Sequence, residues 1–339
     1  MRPKFAGRPK TSWSPYERAA VLSQGALMVT LNALILLSVL RTRHLRQRKE
    51  VLVLMLIVVA DLSYGLFAFT SYGYSTYKDI LSLPSPPMSA LRCLLLTQPW
   101  LALGAASRQA VGLSLAYVSV DRFMAVAYYS QYLELGNSYG WKLLCGLLAY
   151  VVIVWLGSTA VALWNNSAGL HRCLYLLFPN WLRAFSDGVA MAGGVVSLVV
   201  YACLLLNYKR FVERVPNMGS QAQQQRLKAL RAVTVAVGVI CSFTFVFHVI
   251  PLTVMMAARL TALHSMKLVF YCTLLVRVNS LSNIVVFLWK MGECRRAILD
   301  TLRCRRPNNN AVVTPLKSQS RRTNRSNKER PRQVVVNVE

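Results

Sequence analysis

The sequence predicts an all-α membrane protein, a bundle of seven transmembrane helices followed by a short amphipathic helix. Composition is the first reason: of 339 residues, 55% are hydrophobic and only 15% charged, with a mean hydropathy of +0.41. That describes a chain whose solvent is mostly lipid. The second is a set of seven apolar windows, each near the roughly 20 residues needed to cross about 30 Å of hydrocarbon. Backbone groups facing lipid must be satisfied within their own segment, so each window is read as a helix.

The windows fall near 19–41, 51–73, 98–126, 142–164, 184–208, 229–257 and 265–290. Residues 1–18 are then an N-terminal tail, 19–290 the bundle, 291–304 a membrane-surface helix and 305–339 a C-terminal tail. Arg108 and Arg277 interrupt the third and seventh windows, which leaves six or eight spans as alternative counts. Between Met291 and Cys304 basic residues alternate with Ile298, Leu299 and Leu302, the pattern of a helix lying on a membrane. Cys304 is a candidate for S-acylation, the alternative being an unmodified cytosolic thiol. From Arg305 onward the chain is polar and basic with little to bury, and is expected to be disordered.

Loop charge sets the expected orientation. Arg41, Arg43, Arg46, Arg48, Lys49, Lys142, Lys209, Arg210, Arg226, Lys228, Arg295 and Arg296 gather on one side of the windows, and fewer basic residues on the other. By the positive-inside rule the N-terminus is outside and the C-terminus cytoplasmic, in the plasma membrane. The basic N-terminal tail, with Arg2, Lys4, Arg8, Lys10 and Arg18, argues the other way. It also lacks the apolar core of a cleavable signal peptide, so the first span is expected to serve as its own insertion signal. The net charge of +27 is spread over loops and tails rather than one folded face, which fits anionic membrane lipid better than nucleic acid.

Topology sorts the eight cysteines. Cys145, Cys203, Cys241 and Cys272 lie in windows, and Cys294 and Cys304 face the reducing side. Cys93 and Cys173 face the oxidising side, so one disulfide between them is the economical pairing. Asn165-Asn166-Ser167 is a glycosylation sequon there, abutting the fourth window.

Several short motifs occur in order along the windows. Asn32 lies in LNALILL, Asp61 in LIVVAD, and the third window ends in SVDRFMAVAYYSQY, carrying Asp121, Arg122 and Phe123. Trp155 and Ser158 stand in WLGS, Pro251 ends FHVIP, and Asn279 to Phe287 reads NSLSNIVVF. In this order and at these intervals the chain resembles the rhodopsin-like (class A) G-protein-coupled receptors, whose motifs include DRY-x-A-V-x-x-P-L-x-Y and N-S-x-x-N-P-x-x-Y. The resemblance covers the whole bundle. It implies a receptor activated by an extracellular ligand, a heterotrimeric G protein and an arrestin as cytoplasmic partners, and Asp121, Arg122, Phe123, Pro251, Asn283 and Phe287 as switch and coupling residues.

The departures mark a divergent branch. Phe123 and Phe287 replace tyrosines, Ile284 replaces the seventh-helix proline, His248 and Val249 replace a Cys-Trp pair, and Gly193 or Gly194 stands where a fifth-helix proline is usual. Nematode chemosensory serpentine receptors and orphan invertebrate receptors look like the nearest company. Gly104 falls where aminergic receptors place an aspartate, and Arg277 where opsins place the retinal lysine. Neither a biogenic amine nor a retinal Schiff base is therefore expected.

The polar residues inside the windows can be read on their own. A carboxylate at mid-membrane costs at least a few kcal/mol unless it is supplied with polar neighbours. Asp61 is one, and Asn279, Ser280 and Asn283 share an arc of the seventh helix from which, with Asn32, they can reach it. In the family this cluster holds sodium. Val111 replaces a contributing serine, so a sodium ion and a water-filled network both remain open.

Arg108 and Arg277 project into the outer half of the bundle and demand anions. Asp187 is one candidate, through an internal ion pair; a ligand carboxylate, sulfate or phosphate is the other. These two arginines and His248 are the ligand-pocket candidates, although a histidine on an apolar run is more often a satisfied core residue. No His-Glu-x-x-His, phosphate loop or Cys-x-x-Cys is present, so no enzyme class is supported. The functional alternatives to a coupling receptor are a small transporter or channel, in which Asp61, Arg108 and Arg277 line a path, and a bundle that has lost coupling. A transporter should show repeated halves, and the sequence shows none.

Overall fold

The computed structural model describes residues 14–81, 88–92, 100–165, 170–171, 180–214, 234–260 and 266–303. Seven helices among them are long and apolar enough to span a membrane: Tyr16–Arg41, Lys49–Tyr77, Ala102–Ala127, Asn137–Trp164, Trp181–Asn207, Thr234–Ala258 and Lys267–Lys290. The protein is a seven-helix membrane bundle, and the third and seventh windows are spans despite their arginines. Cys93, Cys173 and Cys304, the side chain of Asn165 and the C-terminal tail lie outside the described residues.

Each span begins or ends for a local reason. The first starts at Pro15, whose missing N–H is not needed there, and Ser14 caps it: its hydroxyl accepts from the Glu17 amide while the Glu17 carboxylate accepts from the Ser14 amide. The second, Lys49–Ile80, is the most enclosed, with 78% of its central window buried against 22% for the fourth. It therefore carries groups that need partners on all sides. Besides the helices, a two-residue antiparallel ladder pairs Met88 with His171 and Ser89 with Leu170. It ties the segment before the third span to the segment after the fourth.

The third and fifth spans make the closest pair. A Cβ on Gly193 would stand 2.5 Å from the Gly112 carbonyl, so both positions must be glycine for the two backbones to touch. Small residues serve membrane helices this way, since lipid offers no hydrophobic drive between them. Either side of that contact, the Ser186 hydroxyl donates to the Ala105 carbonyl at 2.9 Å, and the Ser119 and Ser197 hydroxyls meet at 2.7 Å.

In the sixth span, residues 234–244 are α-helical, Phe245–Val249 form a π-helical turn, and Ile250–Leu260 resume the α-helix. Pro251 stands two residues after the end of that turn. It lacks the N–H a continuous helix would use, and the Ile250 amide bonds instead to the Phe245 carbonyl, five residues back. The extra residue turns His248 and Val249 into the bundle and leaves Phe245 and Val246 half exposed.

After the seventh span the chain turns at Met291 and forms Gly292–Leu302. The sequence grouped Ile298, Leu299 and Leu302 as one apolar set. The structure splits them: Ile298 packs inward with Cys294 and Ala297, while Leu299 and Leu302 face outward. Arg48, at the start of the second span, meets Glu293 at 2.5 Å and holds this helix to the bundle.

Candidate functional site

Polar side chains gather at three levels inside the bundle. At the first, the end of the third span, Asp121 and Arg122 are fully buried and paired with each other. Tyr132, on the short helix Tyr129–Glu134, sits over the pair: its hydroxyl donates to Asp121 Oδ2 at 3.3 Å and accepts from Arg122 Nη2 at 3.2 Å. Burial pushes the Tyr132 phenol up, so it remains a protonated donor.

Lys49 holds Tyr132 from below. Its ammonium donates to the Tyr132 and Leu135 carbonyls, the latter at 2.9 Å, and lies 4.0 Å from the centre of the Tyr132 ring. The second span thereby grips the connection between the third and fourth. Arg122 Nε and Nη1 and Asp121 Oδ1 have no hydrogen-bond partner among the described residues, so the lock uses only part of the arginine's capacity. Phe123 packs edge-on against Tyr128, with ring centres 6.5 Å apart.

At the second level Asp61 accepts from the Ser280 hydroxyl at 2.6 Å and from Asn283 Nδ2 at 3.2 Å. Two expected members of this network bond elsewhere or not at all. Asn32 turns its amide to the Met28 carbonyl of its own helix, and Asn279 has no partner at either end among the described residues. Asn279 is one residue from Ser280 and so about 100° away from it round the helix, which carries it off the Asp61 side. Beside Asp61 is a cavity lined by Asn32, Asn283, Ile284 and Phe287. The Asn32 and Asn283 carbonyl oxygens have no hydrogen-bond partner among the described residues.

At the third level Arg108 and Asp187 form an ion pair at 2.9 Å. Arg108 Nε also donates to the Gly104 carbonyl at 3.2 Å. Of the two interior arginines, Arg108 thus has its anion within the chain. Arg277 is fully buried and stacks over the Tyr72 ring, 4.7 Å from its centre, but Nε, Nη1 and Nη2 have no hydrogen-bond partner among the described residues. Tyr64 lies within electrostatic reach of both arginines. His248 is buried against the fifth span, where its ring interacts with the Ala190 backbone without a well-formed hydrogen bond among the described residues. Gly104, at the aminergic aspartate position, packs on Phe67, whose ring would stand 2.5 Å from a Cβ.

The family model for "7 transmembrane receptor (rhodopsin family)" matches residues 31–286. The chain belongs to the rhodopsin family of seven-transmembrane receptors. That stretch contains every span motif from Asn32 to Asn283, and the family it matches is one of receptors. The receptor is also 24% identical over 203 residues to human sphingosine 1-phosphate receptor 2, a match spanning 57% of this chain and 53% of that relative, about half of its length.

Sequence reasoning did not single out Lys49, Tyr64, Tyr72 or Tyr132. Tyr132 is the final tyrosine of the third-span motif, so its signal was present. Lys49 carried none, because a lysine at the start of a span reads as ordinary loop charge.

Proposed function

We propose that the receptor lies in the plasma membrane with its N-terminus outside, binds an extracellular anionic ligand between Arg108 and Arg277, and couples to a heterotrimeric G protein through Arg122. The observation that carries this reading is the buried Asp121–Arg122–Tyr132 group, in which Nε and Nη1 of the arginine are unused among the described residues. Such a group is a two-state element: closed, it shields the guanidinium; opened, it presents the arginine to a partner helix. A seventh-span displacement at Arg277 reaches the centre of the bundle through Ser280 and Asn283, which hold Asp61.

The Asp61 level fits a monovalent cation. Its donors are a carboxylate and the unpartnered Asn32 and Asn283 carbonyl oxygens beside one cavity; Val111 contributes none. A sodium ion bound there supplies a positive charge that favours the resting packing, and Asp61, Asn32 and Asn283 are the residues that would hold it. The relative's name denotes a phosphate ligand, which agrees in sign with an anion bound beside these arginines.

The decisive experiment compares basal G-protein activation in cells for wild type and Arg122→Ala at matched surface expression. A basal signal lost in the variant supports coupling through Arg122. A signal retained in full refutes that role.

A further inference from the structure

We infer that Arg277, and not Arg108, is the ligand-anchoring residue of the outer pocket, and that it takes a single carboxylate. This rests on the anionic-ligand reading above and deepens it. The two arginines look equivalent in the sequence, but the structure distinguishes them. Asp187 already bonds Arg108 at 2.9 Å, and Gly104 accepts from its Nε. Arg277 is more deeply buried, yet none of its three nitrogens has a well-formed hydrogen bond among the described residues, and the Tyr64 hydroxyl that interacts with it is uncharged.

A buried cation in that state calls for an anion, since an isolated charge is strongly penalised away from water. The surroundings select which anion. Tyr72 covers the face of the guanidinium, leaving its in-plane edge for bonding. That edge is a planar fork of N–H groups matched to the two oxygens of a carboxylate. A phosphate monoester brings a second charge, and Arg108, the other arginine at this level, is engaged with Asp187. The Tyr64 and Tyr72 rings add aromatic walls, so a carboxylate on a small aromatic or aliphatic body fits the site.

Position gives this anchor its effect. Arg277 is three residues, just under one turn, before Ser280, which donates to Asp61. Pairing at Arg277 therefore acts on the same helix face that holds the central network.

The test uses the full-length receptor in lipid nanodiscs and reads its melting midpoint, so it reports binding whether or not the protein signals. Acetate, butyrate and benzoate are compared with their amides and with phenyl phosphate, on wild type and on Arg277→Met. The expected result is a rise of about 2 °C or more at saturating carboxylate in wild type. The amides should give none, phenyl phosphate a smaller rise, and Arg277→Met no response while remaining folded. Equal rises in wild type and Arg277→Met, a rise with the amides, a larger rise with phenyl phosphate, or no rise with any carboxylate would each overturn the assignment. Those outcomes leave the coupling role of Arg122 intact, because basal signalling tests it separately.

Discussion

Replacing Lys49 by Met should raise basal signalling. In the resting packing the ammonium makes two charge-assisted bonds, to the Tyr132 and Leu135 carbonyls, and lies on the Tyr132 ring. Charge-assisted bonds contribute about 1.5–3 kcal/mol each and a cation–π contact about 1 kcal/mol. Withdrawing the ammonium from water offsets much of that total, leaving a net of about 2 kcal/mol for the grip as a whole. Methionine keeps the apolar stem and removes every one of these bonds. If the grip exists only in the resting state, its loss shifts the active-to-resting ratio about 30-fold, since each 1.4 kcal/mol is tenfold. The assay is basal G-protein activation at matched surface expression, with Lys49→Arg as a variant that keeps the charge and most of the effect. Basal activity equal to or below wild type in Lys49→Met would refute the view that Lys49 holds the resting state.

Three further outcomes follow from the other levels. Without ligand, Arg108→Met should lower the melting midpoint by several degrees, because it strips the Asp187 carboxylate of the Arg108 ion pair, whereas Arg277→Met should raise it by removing a buried cation with no anion bonded to it among the described residues; shifts of the same sign would contradict the asymmetry between them. Replacing choline by sodium in the buffer should raise the midpoint of wild type and leave Asp61→Asn unchanged, and a thermal melt in each salt checks it. Burial, with Glu293 beside it, pushes the Cys294 thiol up to about 12 from the ordinary 9.0. Because the folded value is the higher one, the docking of Gly292–Leu302 is at full strength below pH 9 and weakens as pH climbs toward 12; alkylation of Cys294 near pH 8, followed by mass spectrometry, should run about a thousandfold slower than for a free thiol.

The spans were legible because lipid imposes a length and a composition that few other constraints can imitate. The buried groups were legible where one residue type is costly in a membrane, as with Asp61, Arg108, Arg122 and Arg277. Partnership between them was not. Nothing in spacing along the third and seventh helices tells which arginine meets Asp187, since that depends on how the fifth span is placed, and its placement follows from backbone contact at Gly112 and Gly193. The same holds for Asn279, which shares an arc with Asn283 in a helical projection yet makes no bond to Asp61. The π-helical turn before Pro251 was hidden for another reason: a proline announces a missing donor but not which carbonyl the preceding amide will choose.

Several positions where the sequence departs from its family fall along one mechanical line. The third and fifth spans touch backbone to backbone at Gly112 and Gly193, with no side chain between them to repack, and Ser186 bonds Ala105 across the same seam. Packed interiors deform little, so these two helices form a fixed block. The sixth span is bonded to that block at its start, where the Tyr201 hydroxyl donates to the Thr234 carbonyl at 2.9 Å, and more weakly further along. Cys241 lies 3.5 Å from the Ser119 hydroxyl and 3.3 Å from that of Ser197, contacts to a sulfur that accepts and donates poorly. Above them the π-helical turn interrupts the helix that would otherwise stiffen the span. A bundle built this way concentrates its freedom in the sixth span. Phe287 lacks the hydroxyl of the seventh-span motif, whereas Tyr132 keeps its own, gripped by Lys49 and bonded to Asp121 and Arg122. Tyr132 is the tyrosine that the third-span motif keeps, and under the proposed coupling its release would let the sixth span uncover Arg122.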